Sequence, residues 1–369
     1  MSRACPPPAC PSLVPPRCRA AGCSNNWPSA RTRRQASGSC LTLPADHLAR
    51  WFAGHWGEAV AISGLKRFHG GSARQTYRFD VTGASGRRES VVLRRDPPSS
   101  LIETDRLAEY RAIQCFAGSQ VPVPEPIFCD AGPESFGSPG FLMREVAGGQ
   151  AAGLLDPEAY GDHGASVGRQ FFTALGRIHA ADPTAAGLDA PPTHPALARL
   201  AHWQAAYAAD RFRPEPVLEA AMAWLAANPP PAPPRLSIVH GDYRSGNFLH
   251  DGAGRLLAIL DWEMVHAGDA HEDLAWACDP LWSHYSGKAG GMLPLAEAIA
   301  AWEAASGFTL DPIAWAWWRI MSQVQGLVIW ISAAREIIDG RSHDPVLMFA
   351  GTIPYRFHTL TLAKALEGL

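Results

Sequence analysis

The segment 41–146 alternates short apolar runs with turn residues, which predicts a small β-rich lobe. Its expected strands are 61–68, 76–81, 90–95, 127–129 and 141–146. Turn residues at 83–86 predict that the second and third strands form a hairpin. Between the third and fourth strands, apolar residues at helical spacing among charges predict one amphipathic helix over 100–116.

After Gly148 and Gly149 the composition shifts towards alanine, tryptophan and helical periodicity, which predicts a larger, mainly helical lobe over 147–369. Its expected helices are 164–180, 195–210, 216–227, 290–306, 312–337 and 345–366. A proline-rich linker at 229–234 and a strand-rich island at 236–263 separate the third helix from the fourth. This element order predicts an α+β fold with two lobes.

Length and charge fit a two-lobed protein that does not bind nucleic acid. At 369 residues the chain exceeds one average domain of roughly 100–200 residues, and its 47% apolar content can fill a sizeable core. Because the net charge is −3 and residues 1–40 contribute six arginines and no acid, the rest of the chain carries −9. A body that acidic lacks the basic stripe that phosphate backbones require.

Residues 1–40 mix prolines, arginines, serines and five of the eight cysteines without periodicity, so we expect a disordered basic tail. Two functional interpretations stand beside this one. An arginine- and serine-rich, acid-poor segment is typical of a transit peptide, and Cys5, Cys10, Cys18 and Cys23 offer a metal site. The spacing favours the tail, because it lacks the short cysteine pairs and clustered histidines of a zinc site.

The remaining cysteines are Cys115, Cys129 and Cys278, and three scattered thiols are not a disulfide framework. A reducing compartment fits them, so we expect a cytoplasmic protein. The charge-free stretch 320–334 is interrupted by polar residues and is shorter than the roughly 18 residues that a membrane span needs. We therefore expect no membrane partner.

Three oxygen-bearing side chains in the island carry the candidate chemistry. Asn247 follows Asp242 by five residues, and Asp261 follows Asn247 by fourteen, after an apolar run. A turn signal at 251–254 between two apolar runs predicts a hairpin, which brings Asn247 and Asp261 together at its ends.

Phosphoryl transfer needs such a set, because a carboxylate must accept the proton of the attacking hydroxyl and hard oxygen ligands must hold Mg²⁺ against the phosphates. We predict Asp242 as the base and Asn247 and Asp261 as the metal ligands. Each residue alone has a structural explanation as a turn or cap, and we expect His240 to support the loop rather than react. The joint order of base, ligand, hairpin and second ligand favours the kinase interpretation.

The segments His240-Gly-Asp-Tyr-Arg-Ser-Gly-Asn247 and Ile259-Leu-Asp-Trp-Glu263 resemble the catalytic loop and metal-binding strand end of the aminoglycoside phosphotransferase and choline kinase family. The resemblance covers about residues 45–340 and implies a protein-kinase-like two-lobed fold. It also implies transfer of the γ-phosphate of ATP, with Mg²⁺, to a hydroxyl of a small molecule. Further segments resemble the branch of kinase-like domains associated with acyl-CoA dehydrogenases, and these are 70–77, 92–98 and 272–276.

The resemblance assigns a phosphate-binding region residue by residue. Gly70, Gly71 and Ser72 resemble the loop that covers the phosphates, where glycine lets backbone N–H groups approach oxygen atoms closely. Arg94 resembles the strand cation that binds phosphate, and Glu109 resembles the helix glutamate that pairs with this cation.

The same resemblance places the adenine and a support for the catalytic loop. Met143, Glu145 and Val146 resemble the strand and hinge whose backbone receives the adenine. Asp273 resembles the buried carboxylate that braces the catalytic loop from a helix.

Arg94 departs from the family pattern, in which a lysine binds the phosphates. Arginine also binds phosphate, but as a planar fork rather than a point charge, so the geometry shifts. The similar branch shares this arginine, which favours variation over loss of activity, and a catalytically inactive nucleotide-binding pseudokinase is the alternative. A protein kinase is disfavoured, because Asp261-Trp-Glu263 replaces Asp-Phe-Gly and no Ala-Pro-Glu segment follows.

Seven of the thirteen tryptophans lie after residue 270, and they allow two interpretations. Aromatic stripes on helices usually pack in a core, and Trp315 and Trp318 have same-face spacing. Alternatively, the tryptophans line an acceptor pocket for an apolar chain or a quaternary ammonium group. We expect a small hydroxylated substrate, acyl-CoA-linked or choline-like, because a polycationic aminoglycoside would require a denser carboxylate cluster.

Overall fold

The computed structural model describes residues 45–368 except 69–74, 97–105, 133, 154 and 155. The predicted tail over 1–40 and the predicted phosphate-loop residues Gly70, Gly71 and Ser72 lie outside the described residues.

A five-stranded antiparallel sheet forms the small lobe. Its strands are β1 Val60–Phe68, β2 Gln75–Gly83, β3 Arg88–Arg95, β4 Pro126–Asp130 and β5 Gly140–Arg144. The order across the sheet is β1-β2-β3-β5-β4, which places β3 at its centre. All five predicted strands are confirmed within two residues at each end, because period-2 alternation marks the half-buried strand directly.

Two helices pack with this sheet, α1 Ala45–Trp56 and α2 Arg106–Phe116. The sequence-based expectations omit α1, which buries Leu48 and Phe52 from one helical face against the sheet. The described part of the predicted helix 100–116 is α2. Strand β5 ends at Arg144, so the predicted strand 141–146 is two residues too long.

Helices make up most of the larger lobe. They are α3 Gly164–Ala180, α4 Pro195–Asp210, α5 Pro216–Ala227, α6 His271–Ala277, α7 Leu295–Ser306, α8 Pro312–Ile338, α9 Pro345–Ala350 and α10 Ile353–Glu367. The first three predicted helices are confirmed to the residue. The predicted helix 345–366 is wrong in being continuous, because Pro354 lacks the N–H that would extend α9 and instead starts α10.

Two short antiparallel strand pairs hold the loops between α5 and α6. Strand β6 Ser237–Val239 pairs with β9 His266–Gly268, and β7 Phe248–His250 pairs with β8 Leu256–Ile259. The predicted hairpin is therefore present as β7 and β8. Its base is closed by Leu260 N–H, which donates to the Asn247 carbonyl at 2.8 Å.

Helix α8 spans 27 residues and packs against α4, α5, α6 and α10 at the centre of the larger lobe. Among the described residues, no helix is long and apolar enough to cross a membrane. The cysteines in the same ranges, Cys115, Cys129 and Cys278, are free thiols. The lobe boundary predicted near residue 147 stays a prediction.

Candidate active site

The loop between β6 and β7 carries both Asp242 and Asn247. The Asn247 side-chain amide donates from Nδ2 to the Asp242 carbonyl at 2.9 Å and to Asp242 Oδ2 at 2.6 Å. With its nitrogen facing Asp242, Asn247 leaves its side-chain oxygen available as an acceptor or metal ligand. The sequence prediction that these two residues share one loop surface holds in the structure.

Asp261 lies two residues after the end of β8, at the base of the β7–β8 hairpin, where Asn247 precedes β7. Its backbone φ is +66°, which places a non-glycine residue in the left-handed region. Such a conformation costs free energy and persists only where surrounding contacts enforce it, as functional sites often do. The hairpin therefore brings Asp261 back towards the loop between β6 and β7, as its turn signal predicts.

Arg94 of β3 joins the small lobe to this site. Its Nη1 lies 2.9 Å from Glu109 Oε1 on α2, and its Nη2 lies 2.6 Å from Asp261 Oδ1 and 3.7 Å from Glu263 Oε2. Burial opposes the charge of Arg94, but the three carboxylates outweigh it and raise the arginine pKa above its ordinary value. The predicted pairing of Arg94 with Glu109 is thus formed, and contact with Asp261 accompanies it.

Asp261 is anionic in this arrangement. Burial alone would raise the pKa of its carboxyl, but the charge and hydrogen bond of Arg94 outweigh burial and hold the pKa below the ordinary value. The charge of Arg244 acts in the same direction. An ionised carboxylate is the form that binds a hard divalent cation.

Asp273 on α6 holds the loop between β6 and β7 by hydrogen bonds. It accepts the backbone N–H of His240 at 2.6 Å, the N–H of Gly241 at 2.8 Å, and His179 Nε2–H at 3.1 Å. The Trp302 indole N–H in turn donates to His179 Nδ1 at 2.8 Å. Burial opposes ionisation of Asp273, yet these donors lower its pKa, so a fully buried carboxylate holds the loop.

His240 supports the loop in its neutral form. Its Nε2–H donates to the Leu260 carbonyl at 2.9 Å, and its Nδ1 accepts the N–H of Asp242 at 3.3 Å. Burial lowers the pKa of this fully buried imidazole, although three neighbouring aspartates work against that effect. The expectation that His240 organises the loop agrees with these contacts.

Gly241 is required by the path of the loop. Its φ is +86°, and a Cβ added there would lie 2.5 Å from the carbonyl oxygen of Met264. The Gly241 carbonyl accepts Gln325 Nε2–H of α8 at 3.0 Å. A side chain at this position would therefore push the segment that follows Asp261 away from the loop that carries Asp242.

Two residues near Asp242 are missing from the sequence predictions. Trp276 Nε1–H donates to Asp242 Oδ1 at 2.7 Å, and Arg244 Nε–H donates to the same oxygen at 3.0 Å. A signal for Trp276 was available, since it follows Asp273 by three residues and shares its face of α6. Arg244 lies two residues from the predicted base and belongs to the motif 240–247, but the sequence alone predicts no role for it.

The tryptophans of the larger lobe mostly pack in its core. The tryptophan side chains at most 2% exposed are Trp262, Trp276, Trp282, Trp302, Trp317 and Trp318. Their indoles bond to protein groups at several positions, for example Trp317 to the Leu225 carbonyl at 3.1 Å and Trp318 to Asp269 Oδ2 at 3.0 Å. The core-packing interpretation therefore accounts for these side chains better than an aromatic acceptor pocket.

The predicted adenine hinge is only partly available. Met143 is buried in β5, whereas the Glu145 N–H donates to the Ser90 carbonyl at 2.9 Å and its carboxylate pairs with Arg78 at 3.0 Å. The backbone N–H of Glu145 is thus committed to the sheet rather than to a ligand. Val146, partly buried and beyond the strand, is the remaining hinge position.

The oxygen donors suit magnesium bound together with phosphates. Within the described ranges no group of three or more histidine, cysteine, aspartate or glutamate side chains could hold a metal alone. Mg²⁺ is usually held by one or two protein carboxylates plus substrate phosphates, and here Asp261 supplies one carboxylate and Asn247 an amide oxygen. A separate depression of about 570 Å³, bordered by Asp182, Arg235 and Ala267, is lined by none of the predicted site residues.

The chain is similar to known proteins over more than half of its length. A sequence profile of the phosphotransferase enzyme family (APH) matches residues 64–320. Acyl-CoA dehydrogenase family member 11 of Gallus gallus is 26% identical over 238 residues, which is 63% of this chain and 30% of that protein. Acyl-CoA dehydrogenase family member 10 of Mus musculus is 27% identical over 248 residues, which is 64% of this chain and 22% of that protein. The chain thus spans less than a third of the length of these curated relatives.

Solved structures show the same fold. A Ralstonia eutropha protein assigned as an aminoglycoside phosphotransferase has a TM-score of 0.69 at 22% identity, covering 88% of this chain and 99% of its own. A choline/ethanolamine kinase family protein from Mesorhizobium loti has a TM-score of 0.53 at 17% identity, covering 83% and 88%. A thermostable mutant of aminoglycoside phosphotransferase APH(4)-Ia, in a ternary complex with ADP and hygromycin B, has a TM-score of 0.55 at 17% identity, covering 86% and 97%. The predicted protein-kinase-like α+β fold is confirmed.

Proposed function

Because this chain belongs to the phosphotransferase enzyme family, we propose that it transfers the γ-phosphoryl group of ATP to a hydroxyl group of a small molecule. The observation that carries this proposal is the contact of Asp242 Oδ2 with the Asn247 amide at 2.6 Å, on a loop that the hairpin joins to Asp261. The proposed base, Asp242, and the proposed metal donors, Asn247 and Asp261, then lie on one surface.

Asp242 acts as the base through Oδ2. Its Oδ1 already accepts two hydrogen bonds, from Trp276 and Arg244, whereas Oδ2 accepts one, from Asn247. A carboxylate oxygen accepts two such bonds readily, so Oδ2 keeps a position for the hydroxyl of the acceptor. The acceptor oxygen bonds to the γ-phosphorus as its proton moves to Asp242 Oδ2, and the bond from that phosphorus to the bridging oxygen of ADP breaks.

Asn247 Oδ1 and the Asp261 carboxylate are the groups that would hold Mg²⁺, which neutralises phosphate charge when it is bound. Arg94 adds a fixed positive charge beside them. The guanidinium group of Arg94 lies between Glu109 and Asp261. Its Nη2, which contacts Asp261, can instead donate to a phosphate oxygen. Met143 and Val146 border the proposed adenine position, and Gly70, Gly71 and Ser72 are proposed to cover the phosphates.

We propose a small hydroxylated metabolite as the acceptor, in a cytoplasmic setting. The curated relatives carry the name acyl-CoA dehydrogenase, which favours an acyl-CoA-linked hydroxyl compound. Burial of the tryptophans near Asp242 argues against a choline-like ligand, because a quaternary ammonium group needs open aromatic faces.

The direct test measures ADP release and phosphorylated product with Mg²⁺–ATP and a panel of hydroxylated metabolites. Asp242→Asn keeps the shape of the side chain but removes the base, so the acceptor-dependent kcat should fall about 100- to 10,000-fold. Asp162→Asn changes an exposed carboxylate and should leave kcat unchanged. Acceptor-dependent turnover that survives Asp242→Asn would reject the proposal.

A second candidate is a nucleotide-binding pseudokinase. The ion pair between Arg94 and Asp261 favours it, because a carboxylate that is held by arginine at 2.6 Å is less available to a metal. This candidate predicts thermal stabilisation by Mg²⁺–ATP without product from any acceptor in the panel. Product formation that depends on Asp242 decides against it.

A further inference from the structure

Arg244 is a cation held beside the proposed base, Asp242, and it has no part in the proposed phosphoryl transfer. Its Nε–H donates to Asp242 Oδ1 at 3.0 Å, and its Nη1–H donates to the Ser245 carbonyl at 3.0 Å. Its guanidinium carbon lies 4.7 Å from the centre of the Trp282 ring. Three contacts on different sides therefore fix the plane of the guanidinium group.

One edge of this guanidinium is open. Nη2 makes no hydrogen bond to the residues that the structure describes, and the Arg244 side chain is 27% exposed, against 18% for Asp242. An arginine presents five N–H donors in a planar fork, which suits carboxylate and phosphate oxygens. A ligand whose hydroxyl reaches Asp242 thus passes a fixed, partly exposed donor edge.

The position of Arg244 separates it from the phosphate-binding cation. Arg94 comes from the small lobe and contacts Asp261, the proposed metal ligand, whereas Arg244 rests on Trp282 of the larger lobe. Trp282 also packs edge-on against Trp276, the indole that donates to Asp242. Arg244 is therefore held by the helical lobe, whereas Arg94 belongs to β3 of the small lobe.

We propose that Arg244 binds an anionic group of the acceptor, so that the substrate is a hydroxyl compound with a carboxylate or phosphate near the reacting hydroxyl. The inference rests on the proposed phosphotransfer and specifies its substrate class. A cationic acceptor would meet the positive charge of Arg244 as it approaches Asp242, and this repulsion is strong at a partly buried site. An anion gains a charge-assisted hydrogen bond at the same place.

A purely structural role makes a different prediction. If Arg244 only positions Asp242, its removal slows every acceptor by the same factor. If it binds an anionic group, its removal slows anionic acceptors selectively. A change in the position of Asp242 affects two acceptors that differ only in charge by the same factor. The ratio of their kcat/KM values therefore reports only the binding of the anionic group.

The experiment uses the full-length protein with Mg²⁺–ATP and matched short-chain hydroxy compounds that end in a carboxylate, a primary amide or an ammonium group. The wild type should prefer the carboxylate. Arg244→Gln should lower kcat/KM for the carboxylate about 10- to 100-fold more than for the amide, and Arg244→Lys should restore part of the preference. Arg255→Gln, which removes an exposed arginine on the hairpin turn, should keep the wild-type ratio.

Two results would overturn the inference. One is a wild-type preference for the amide or the ammonium compound, and the other is a carboxylate-to-amide ratio that Arg244→Gln leaves unchanged. If no acceptor is turned over, the proposed function fails on this panel, and equilibrium binding decides the role of Arg244. Saturation-transfer NMR with the Mg²⁺–AMP-PNP complex should then detect the hydroxycarboxylate on the wild type and not on Arg244→Gln; equal signals, or none on the wild type, reject the inference.

Discussion

Arg94 Nη2 lies 2.6 Å from Asp261 Oδ1 while Nη1 of the same side chain lies 2.9 Å from Glu109 Oε1. One arginine of β3 therefore connects α2 to the end of the hairpin that carries a proposed metal ligand. A lysine carries its three N–H donors on one nitrogen, so it cannot reproduce the two separated donor nitrogens that meet these carboxylates. The fork makes the position of Asp261 depend on the small lobe.

Arg94→Lys should lower kcat/KM for Mg²⁺–ATP about tenfold, because one ammonium group replaces two fixed donors. Arg94→Met should lower it about 100-fold or more, because the cation between three carboxylates is lost. Arg88→Met removes an exposed arginine from the same strand and serves as the control. Steady-state ADP release measures all three, and a wild-type rate in Arg94→Lys would show that the fork is dispensable.

Asn247→Ala should raise the Mg²⁺ concentration for half-maximal turnover about tenfold or more, because one of the two proposed ligand side chains is removed. Affinity for ADP in the absence of Mg²⁺ should change little. Calorimetric titrations of ADP with and without Mg²⁺ separate the two effects. Asn228→Ala, at an exposed helix end, is the control, and an unchanged Mg²⁺ requirement in Asn247→Ala would remove Asn247 from the metal site.

Asp273→Asn should cost about 3 kcal/mol of unfolding free energy, because an amide cannot accept every N–H that the carboxylate now accepts. Urea unfolding at neutral pH measures this loss. Turnover should fall as well, since Gly241 lies next to the base. Asp162→Asn should match the wild type, and a stability loss no larger than that of this control would show that the loop does not need the brace.

Gly241→Ala should destabilise the protein more than Gly86→Ala, although both glycines have φ between +86° and +88°. The two substitutions share the cost of a left-handed alanine, on the order of 1 kcal/mol. An added Cβ at Gly241 would also lie 2.5 Å from the Met264 carbonyl oxygen, whereas an added Cβ at Gly86 would have nothing within 4 Å. Equal unfolding free energies for the two variants would show that the loop relaxes without cost.

Stability should fall as the pH drops below about 6.5, the ordinary pKa of histidine, partly through His240. Burial keeps the folded pKa of His240 below that value, so between the two values the unfolded chain binds a proton that the folded chain does not. His240→Gln should reduce the slope of unfolding free energy against pH between about 7.5 and 5.5. His343→Gln, an exposed control, should keep the slope, and an identical slope in His240→Gln would exclude this contribution.

The sequence by itself was sufficient for the positions of the five strands of the small lobe, for three helices to the residue, and for the order of Asp242, Asn247 and Asp261 around a hairpin. These features are local, because side-chain periodicity reports burial within one element and a turn signal joins neighbouring strands. It was insufficient for α1 and for the break between α9 and α10. It also assigned Glu145 to a hinge whose backbone N–H the structure uses within the sheet.

Only the tertiary structure decided which charges meet at the site. Asp261 lies 167 residues from Arg94, and Asp242 lies 34 residues from Trp276, so no local pattern encodes either contact. Arg244 is close to Asp242 in sequence, but Trp282 determines where its guanidinium rests. Packing of distant elements sets the distances between charged atoms, and Coulomb energy depends on those distances rather than on sequence spacing.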